Sequence, residues 1–200
     1  MSNQAPDWLF RPVQVDSNEL TTIQNDLKNF VYRTMAPIKQ VGFVFIDPLV
    51  VEEHSPTCAL LLKRLDLYNR WAQSGLSVTI KKPHWGHNIV HVDHYDINTR
   101  CFAFNIPIVN CHDSYTVFYQ SKTKNLGKRF DEHWVHKWED HKNALLFKDD
   151  NDLEEIARYS ANQCAFINVS VPHRPVTEHN EFRVVLTNRF TPELHDYFKV

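Results

Sequence analysis

The stretch "CFAFNIPIV", residues 101–109, alternates large apolar side chains with smaller or polar ones along its length. Successive side chains of a β-strand point to opposite faces, so this alternation predicts a strand with one fully apolar face. We expect that face to lie in the hydrophobic core; it consists of Phe102, Phe104, Ile106 and Ile108. We interpret Asn105 and Asn110 as residues that terminate or turn the strand.

Other short runs rich in Val, Ile, Phe and Tyr predict further strands, since most are bounded by Pro, Asn, Asp or Ser. They lie at residues 8–15, 76–81, 88–93, 115–120, 144–148, 164–171 and 181–188. We expect the strand that starts at residue 164 to end at Pro172 and His173. A polar turn then leads to an antiparallel neighbour that starts near Glu181.

Two helices are predicted in the first 75 residues. The first follows Asp16, which forms a capping-box pattern with Glu19 and precedes an apolar helical face. The second has Ser55 as its N-cap, Pro56 at its first position and Gly75 just beyond its end. We therefore expect a helical layer before the strands.

Only one further helix, at about residues 152–162, is predicted among the strands. Because helices and strands do not alternate regularly, the pattern argues against a parallel sheet and favours a mainly β antiparallel sandwich or jelly roll. We expect a single domain over residues 1–200, with a helical N-terminal layer at 1–75 packed on one sheet. The β core would span 76–190, and an insertion at 121–143 is a candidate lid.

The composition favours a small or locally recognised ligand. A formal charge of -2, from 22 basic and 24 acidic residues, provides no general attraction to nucleic acid or to an anionic membrane. The four cysteines show no CxxC spacing, which favours a reducing compartment. No basic leader with an apolar core and no long apolar window is present, so we expect a soluble, cytoplasmic protein.

The segment "HVD", residues 91–93, is a candidate metal-binding strand. His91 and Asp93 would project from one face, while Val90 and Val92 pack on the other. Surface strands often carry such pairs, so a third ligand is needed. His173 would provide it, and two histidines with one carboxylate form the facial triad that binds Fe(II) with open positions.

An arginine could complete such a site. Arg183 stands ten residues after His173, and its guanidinium is a permanently charged fork that binds a carboxylate through two hydrogen bonds. Arg189 is a rival on the same strand face by parity. The ten-residue spacing favours Arg183.

Taken together, His91-x-Asp93, His173 and Arg183 resemble the metal and cosubstrate sites of the Fe(II)/2-oxoglutarate-dependent oxygenases. The segment "RCFAFNIPI", which begins at Arg100, is similar to the arginine-led strand of the aspartyl/asparaginyl β-hydroxylase-like branch. The likeness covers about residues 85–190.

The resemblance implies a double-stranded β-helix, a form of jelly roll. It implies an enzyme, a dioxygenase that uses O2 and most often hydroxylates an unactivated C–H bond of a small molecule or amino-acid side chain. His91, Asp93 and His173 would be the metal and catalytic residues for Fe(II). Arg183, with Arg100 helping, would bind 2-oxoglutarate.

Two positions depart from the family pattern. Phe102 stands where the branch often has His, and Val185 stands where many oxygenases of the superfamily have Ser or Thr. Thr187 lies two residues further along the same face. These departures concern the cosubstrate contacts and leave the metal-ligand pattern unchanged.

Several alternatives remain open. A non-catalytic jelly-roll binding or structural module could retain the metal site, and a metal hydrolase or cupin-type isomerase could use the same ligands. We interpret seven further histidines as turn, surface or lid residues, and the basic cluster as a solvated face. These are His84, His87, His94, His112, His133, His136 and His141, with Lys122, Lys124, Lys128 and Arg129.

Overall fold

A computed structural model of the chain describes residues 9–35, 42–68, 71–79, 90–93, 102–123, 128–129, 145–147 and 150–190. The described part is mostly β, with two antiparallel sheets and three helices. The helices are α1 (Ser17–Met35), α2 (Pro48–His54) and α3 (Pro56–Arg64). None of these described helices combines the length and the hydropathy that crossing a bilayer requires.

Twelve strands make up the two sheets. They are β1 (Phe10–Pro12), β2 (Gly42–Phe45), β3 (Trp71–Thr79), β4 (Val90–Val92), β5 (Phe102–Val109), β6 (Ser114–Ser121), β7 (Lys128–Arg129), β8 (Leu145–Phe147), β9 (Leu153–Ser160), β10 (Ala165–Asn168), β11 (His173–Thr177) and β12 (Arg183–Phe190). The first sheet has the order β1-β10-β5-β12-β3-β2. The second has the order β7-β8-β4-β11-β6-β9.

The pairing of eight of these strands follows one rule. Counted from β3 without β7 and β8, the first strand pairs with the eighth (β3 with β12) and the second with the seventh (β4 with β11). The third pairs with the sixth (β5 with β10) and the fourth with the fifth (β6 with β9). All four pairings are antiparallel. A chain folded back on itself in this way is consistent with a jelly roll.

The two sheets pack face to face through a shared apolar cluster. The first sheet contributes Ala103, Ala165 and Ile167, and the second contributes Phe118 and Tyr159. All five are buried. The side chains on the inner faces of β5, β6, β9 and β10 therefore lie in the interior between the sheets.

The outer face of the first sheet forms a second core with the helices. Ile106 of β5 and Leu186 of β12 belong to one buried cluster with Ile23 of α1 and Leu61 of α3. The four apolar residues predicted to share a core face are all buried, which confirms that prediction; they are Phe102, Phe104, Ile106 and Ile108. Asn110, with φ of 49°, follows the end of the strand, as expected.

Both predicted helix starts agree with the structure. Asp16 Oδ1 accepts hydrogen bonds from the backbone N–H groups of Asn18 at 2.9 Å and Glu19 at 3.2 Å. The Ser55 hydroxyl accepts one from the Cys58 N–H at 3.3 Å, and Pro56 begins α3. Such caps satisfy N–H groups that have no partner within the helix.

The predicted end of the second helix is wrong. α3 ends at Arg64, with Leu65 as its C-cap, and Gly75 lies within β3. There Gly75 pairs with Phe45 of β2 and with Thr187 of β12. β3 is hydrogen-bonded on both sides, and this pairing outweighs the helical preference of the local sequence.

The helix predicted at about residues 152–162 is also wrong. A 3-10 turn at Asp150–Asp152 leads into β9, which pairs with β6 along its length. β9 is the edge strand of its sheet, and its Glu154 and Glu155 are exposed. Charged residues on an edge strand prevent it from pairing with other chains. They also interrupt the alternation of apolar and polar residues by which a strand is predicted from sequence.

Some elements differ from the predictions in extent or were not predicted. α2 and β2 were missed, and the first strand is only three residues long. Cys58, Cys111 and Cys164 are unpaired and buried, and a buried free cysteine packs as a small apolar side chain.

Candidate metal and anion site

Three predicted ligands meet at one end of the second sheet. His91 lies in the middle of β4, directly opposite His173, the first residue of β11. Asp93 follows β4, and its backbone N–H donates to the Val169 carbonyl at 3.0 Å. The register of β4 on β11, together with this hydrogen bond, holds all three side chains at the same place.

The ligand atoms of the three side chains lie close together. One atom from each of His91, Asp93 and His173 lies within 4.8 Å of the others. Nε2 of His91 is 3.5 Å from Oδ1 of Asp93, and Nε2 of His173 is 3.9 Å from Oδ2. Two imidazoles and one carboxylate are the donor set of the facial triad, so these residues fit an Fe(II) ion.

His173 is prepared to act as a ligand. The Val171 carbonyl oxygen can only accept, so the 2.8 Å contact from Nδ1 places the proton on Nδ1 and leaves the lone pair on Nε2. Burial lowers the pKa of His173 to about 4, with a further lowering by His91 and an opposing effect of Asp93. The imidazole is therefore neutral at physiological pH.

A cation lies beside this triad. Nη2 of Arg189 is 3.0 Å from Oδ1 of Asp93, and both side chains are largely buried. Charge-assisted hydrogen bonds of this kind fix a carboxylate in one orientation. Arg189 therefore holds the acidic member of the triad in place.

A second cation lies on the same face of β12, six residues earlier. Arg183 is 2% exposed, and its Nε and Nη1 atoms have no hydrogen-bond partner among the described residues. Burial raises the pKa of the nearby Cys111 thiol, and the charge of Arg183 and a hydrogen bond with it oppose that rise. A buried guanidinium with donors still available is a candidate for binding an anion.

Two further polar groups lie near Arg183, the Tyr159 hydroxyl and Asn105 Oδ1. Neither forms a hydrogen bond of ordinary length with a group that the structure describes, although Thr116 and Asn105 are hydrogen-bonding neighbours of the Tyr159 hydroxyl. Burial raises the pKa of Tyr159 to about 12, opposed first by hydrogen bonding with Thr116, then by the charge of Arg183 and by hydrogen bonding with Asn105. The phenol therefore stays protonated and can donate. We call Arg183, Tyr159 and Asn105 the arginine chamber.

Phe118 lies between the triad and the arginine chamber. Its ring centroid is 6.2 Å from that of His173 and 6.1 Å from that of Tyr159. The side chain is fully buried. The triad and the chamber are thus connected through one packed aromatic residue inside the sandwich.

Sequence reasoning missed both neutral members of the chamber. Tyr159 lies in the segment that was predicted to be helical, and no local signal places it beside Arg183. Asn105 was interpreted as a strand terminator, yet it lies within β5 opposite Thr187 and is buried. A lone amide on the inner face of an otherwise apolar strand was the available signal.

The prediction that His173 and Arg183 lie on neighbouring antiparallel strands is wrong. His173 begins a strand instead of ending one, and β11 belongs to the second sheet while β12 belongs to the first. The two residues therefore lie on different sheets and not on neighbouring strands. The second strand starts at Arg183, close to the predicted position.

Other residues named from the sequence lie outside the described ranges or elsewhere in them. Arg100, most of the 121–143 insertion and six of the interpreted histidines lie outside the described residues; these histidines are His84, His87, His94, His133, His136 and His141. His112 stacks on His179, with ring centroids 4.7 Å apart. Lys122 donates to the Asn151 carbonyl at 3.0 Å.

A groove of about 490 Å³ lies on the helical layer, separate from the triad and the chamber. Its lining consists of residues from α1 and α2: Asp26, Asn29, Phe30, Arg33 and His54. The Phe30 ring stacks on His54 at 4.6 Å. The groove contains none of the triad or chamber residues.

No family model and no curated protein matches the sequence. Among solved structures, the chain is similar to HygX from Streptomyces hygroscopicus with nickel and 2-oxoglutarate bound, at 13% identity and a TM-score of 0.48, covering 93% of this chain and 84% of that chain. It is also similar to the non-heme alpha ketoglutarate dependent carbocyclase SnoK from nogalamycin biosynthesis. The identity is 11% and the TM-score is 0.46, and the match covers 90% of this chain and 78% of that chain.

A Pseudomonas putida prolyl-4-hydroxylase is similar at 12% identity and a TM-score of 0.44, with 90% of each chain covered. Similarity at this level does not assign an activity to the chain.

Proposed function

We propose that the chain is an Fe(II)- and 2-oxoglutarate-dependent dioxygenase that hydroxylates an unactivated C–H bond of a small molecule or amino-acid side chain. One observation carries the proposal. The interior of one β-sandwich holds both a convergent His91, Asp93 and His173 triad and a buried Arg183 with two unpartnered donors. A metal triad needs a chelating cosubstrate for this chemistry, and a dicarboxylate would provide the missing anion.

The metal would be held by His91, Asp93 and His173 as three ligands on one side, leaving the remaining positions open. When bound, iron supplies the redox chemistry that couples oxidative decarboxylation of 2-oxoglutarate by O2 to hydroxylation of the substrate. The contributions of the chain itself are binding, orientation and exclusion of water. Arg189 would keep the Asp93 carboxylate fixed, and Val171 would keep Nε2 of His173 available.

Arg183 is the better candidate for the cosubstrate anchor, although Arg189 lies on the same face of β12. Arg189 is already hydrogen-bonded to Asp93, whereas Nε and Nη1 of Arg183 have no partner in the described part of the chain. These two atoms point to different sides of the guanidinium, and each can donate a charge-assisted hydrogen bond to an anion. Val185 contributes no polar group, but the buried Thr187 lies on the same face.

The finer parts of the hypothesis concern Arg100, the substrate and the branch of the superfamily. Arg100 would assist Arg183 in binding 2-oxoglutarate, as the resemblance to the aspartyl/asparaginyl β-hydroxylase-like branch implies. The substrate would be an amino-acid side chain or a similar small molecule. Residues 121–143 would cover the site during turnover.

An anaerobic titration tests the proposal. Purified protein is first titrated with Fe(II) and then with 2-oxoglutarate while the visible spectrum is recorded. We expect one Fe(II) per chain, followed by the weak charge-transfer band of a chelated 2-oxoacid. Iron binding without this band would contradict the oxygenase and favour a binding module or a metal hydrolase.

Two variants make the titration specific to the triad. Asp93→Asn removes the only anionic ligand, and we expect the affinity for Fe(II) to fall at least about 100-fold, which corresponds to roughly 2.7 kcal/mol. Asp113→Asn is the matched control, since Asp113 is an exposed carboxylate with φ of 46°, a conformation that Asn tolerates. Equal metal binding by both variants would show that the metal site lies elsewhere.

A further inference from the structure

The first residues of β12 lie where the pairing of this strand with β5 is irregular. Val184 pairs with Val109, but the register shifts before Val185. Arg183 precedes the first of these pairs, so within the described residues it is paired on the β3 side alone, with Thr79. A bulge changes the direction of the side chains beside it. The direction of the Arg183 side chain therefore depends on what else holds the backbone at this point.

The loop between β5 and β6 contacts this part of β12 through its side chains. Asn110, the first residue of the loop, donates from Nδ2 to the Phe182 carbonyl at 3.0 Å. That carbonyl belongs to the peptide unit that contains the backbone nitrogen of Arg183, so the hydrogen bond fixes the peptide plane directly before Arg183. The next residue, Cys111, has its Sγ atom 3.3 Å from the Val184 carbonyl oxygen. The loop thus holds β12 on both sides of Arg183.

The conformation of Asn110 is itself fixed. Its φ of 49° lies in the left-handed region, which Asn adopts more readily than most residues. Its carbonyl oxygen is 2.9 Å from Nε2 of His179, in the loop before β12, and a carbonyl only accepts, so His179 is the donor. The His179 ring in turn stacks on His112. Asn110 is therefore held at its backbone as well as at its side chain.

We propose that Asn110 is a positioning residue for Arg183, because its amide holds the Phe182–Arg183 peptide unit in the orientation that directs the guanidinium into the sandwich. This inference rests on the proposed function, in which Arg183 binds the distal carboxylate of 2-oxoglutarate. Asn110 acts through Arg183 and does not itself contact the cosubstrate. Its effect should therefore be confined to 2-oxoacids that have a distal carboxylate.

Two variants of Asn110 and one matched control test the proposal. Asn110→Gly removes the side chain and keeps the left-handed backbone, and Asn110→Asp keeps the size of the side chain but not its donor. Asp113→Gly is the control, since Asp113 is exposed, lies in the same loop with φ of 46°, and contacts the facing loop through its backbone carbonyl. Each protein is titrated anaerobically with Fe(II), and the loaded form with 2-oxoglutarate or with pyruvate, which has no distal carboxylate.

Asn110→Gly should weaken the binding of 2-oxoglutarate by about 5- to 10-fold, the effect of losing one neutral hydrogen bond. Asn110→Asp should weaken it at least as much, because a carboxylate oxygen repels the Phe182 carbonyl. For both variants, the affinities for Fe(II) and pyruvate should stay within about twofold of the wild type. Asp113→Gly should bind all three ligands like the wild type. A general loosening of the fold would weaken both 2-oxoacids alike and could not produce this split.

A double-mutant cycle checks that the effect passes through Arg183. In an Arg183→Met background, Asn110→Gly should cause no further loss of affinity for 2-oxoglutarate, because the residue that it positions is already absent. A double variant in which the two losses multiply would show that Asn110 acts by another route, and would overturn the inference.

The remaining outcomes separate this inference from the proposed function. Wild-type binding of 2-oxoglutarate by both Asn110 variants, or an equal weakening for 2-oxoglutarate and pyruvate, would overturn the role of Asn110 and leave the oxygenase proposal standing. A wild-type protein that binds neither Fe(II) nor 2-oxoglutarate would overturn both.

Discussion

The two ends of the inner face of β12 carry the same residue in different surroundings. Arg189 forms a 3.0 Å contact with the Asp93 carboxylate, whereas Arg183 is buried and forms no ion pair with a described carboxylate. A buried cation with an anionic partner holds that partner in position, and one without such a partner is costly. The difference makes the Arg189 end part of the metal-ligand arrangement and the Arg183 end the better candidate for binding an anionic ligand.

The two ends also differ in their protonation chemistry. At the triad, burial lowers the pKa of His173 to about 4 and keeps it a neutral metal ligand. In the chamber, burial raises the pKa of Tyr159 to about 12 and keeps it a donor. The same desolvation thus removes a proton at one end and retains one at the other, because in each case it disfavours the charged form.

The largest expected effect comes from Arg183→Met. Loss of the charged fork should reduce the affinity for 2-oxoglutarate more than about 100-fold, since two charge-assisted hydrogen bonds are removed. The dialysed apoprotein should gain about 1–3 kcal/mol in the free energy of unfolding, because buried donors without partners disappear. Calorimetric binding and urea unfolding measure the two quantities.

Arg183→Met has a clear opposing result. A variant that binds 2-oxoglutarate normally, together with an Arg189→Met variant that does not, would transfer the anchor to Arg189. A loss of stability in Arg183→Met would show that the guanidinium is already satisfied within the protein.

Arg189→Met should destabilise the apoprotein, in contrast to Arg183→Met, and should weaken ligand binding less. Asp93 would lose its cation, so the apoprotein should be destabilised by about 3 kcal/mol. The affinity for Fe(II) should fall about tenfold, as expected for a residue that orients a metal ligand. Saturating metal should recover much of the lost stability, because the bound cation compensates the negative charge of Asp93. A variant whose stability does not recover would contradict the role of Arg189.

Phe118→Leu should have the smallest effect, because it changes packing between the two ends without removing a polar group. We expect a loss of about 1 kcal/mol in unfolding free energy and a several-fold weakening of both metal and 2-oxoglutarate binding. Val117→Ala is the control, since Val117 lies on the same strand but belongs to the cluster on the opposite face. Weakening of only one ligand by Phe118→Leu would show that the two ends are independent.

Local sequence identified the elements that depend on local interactions. The caps at Asp16 and Ser55 were predicted because a capping side chain bonds to N–H groups two or three residues away. The apolar face of β5 was predicted because side-chain direction alternates along a strand. By contrast, Gly75 and β9 were assigned to helices or helix ends, because only pairing with distant strands makes those segments extended.

The same division applies to the site. The sequence by itself determined which side chains could bind a metal and an anion, since His91, Asp93, His173 and Arg183 were named from residue type and spacing. Only the tertiary structure decided that Arg189 holds Asp93, that His173 and Arg183 lie on opposite sheets, and that Tyr159 and Asn105 share the chamber with Arg183. These relations depend on strand register and on the packing of one sheet against the other, and neither is encoded by neighbouring residues along the chain.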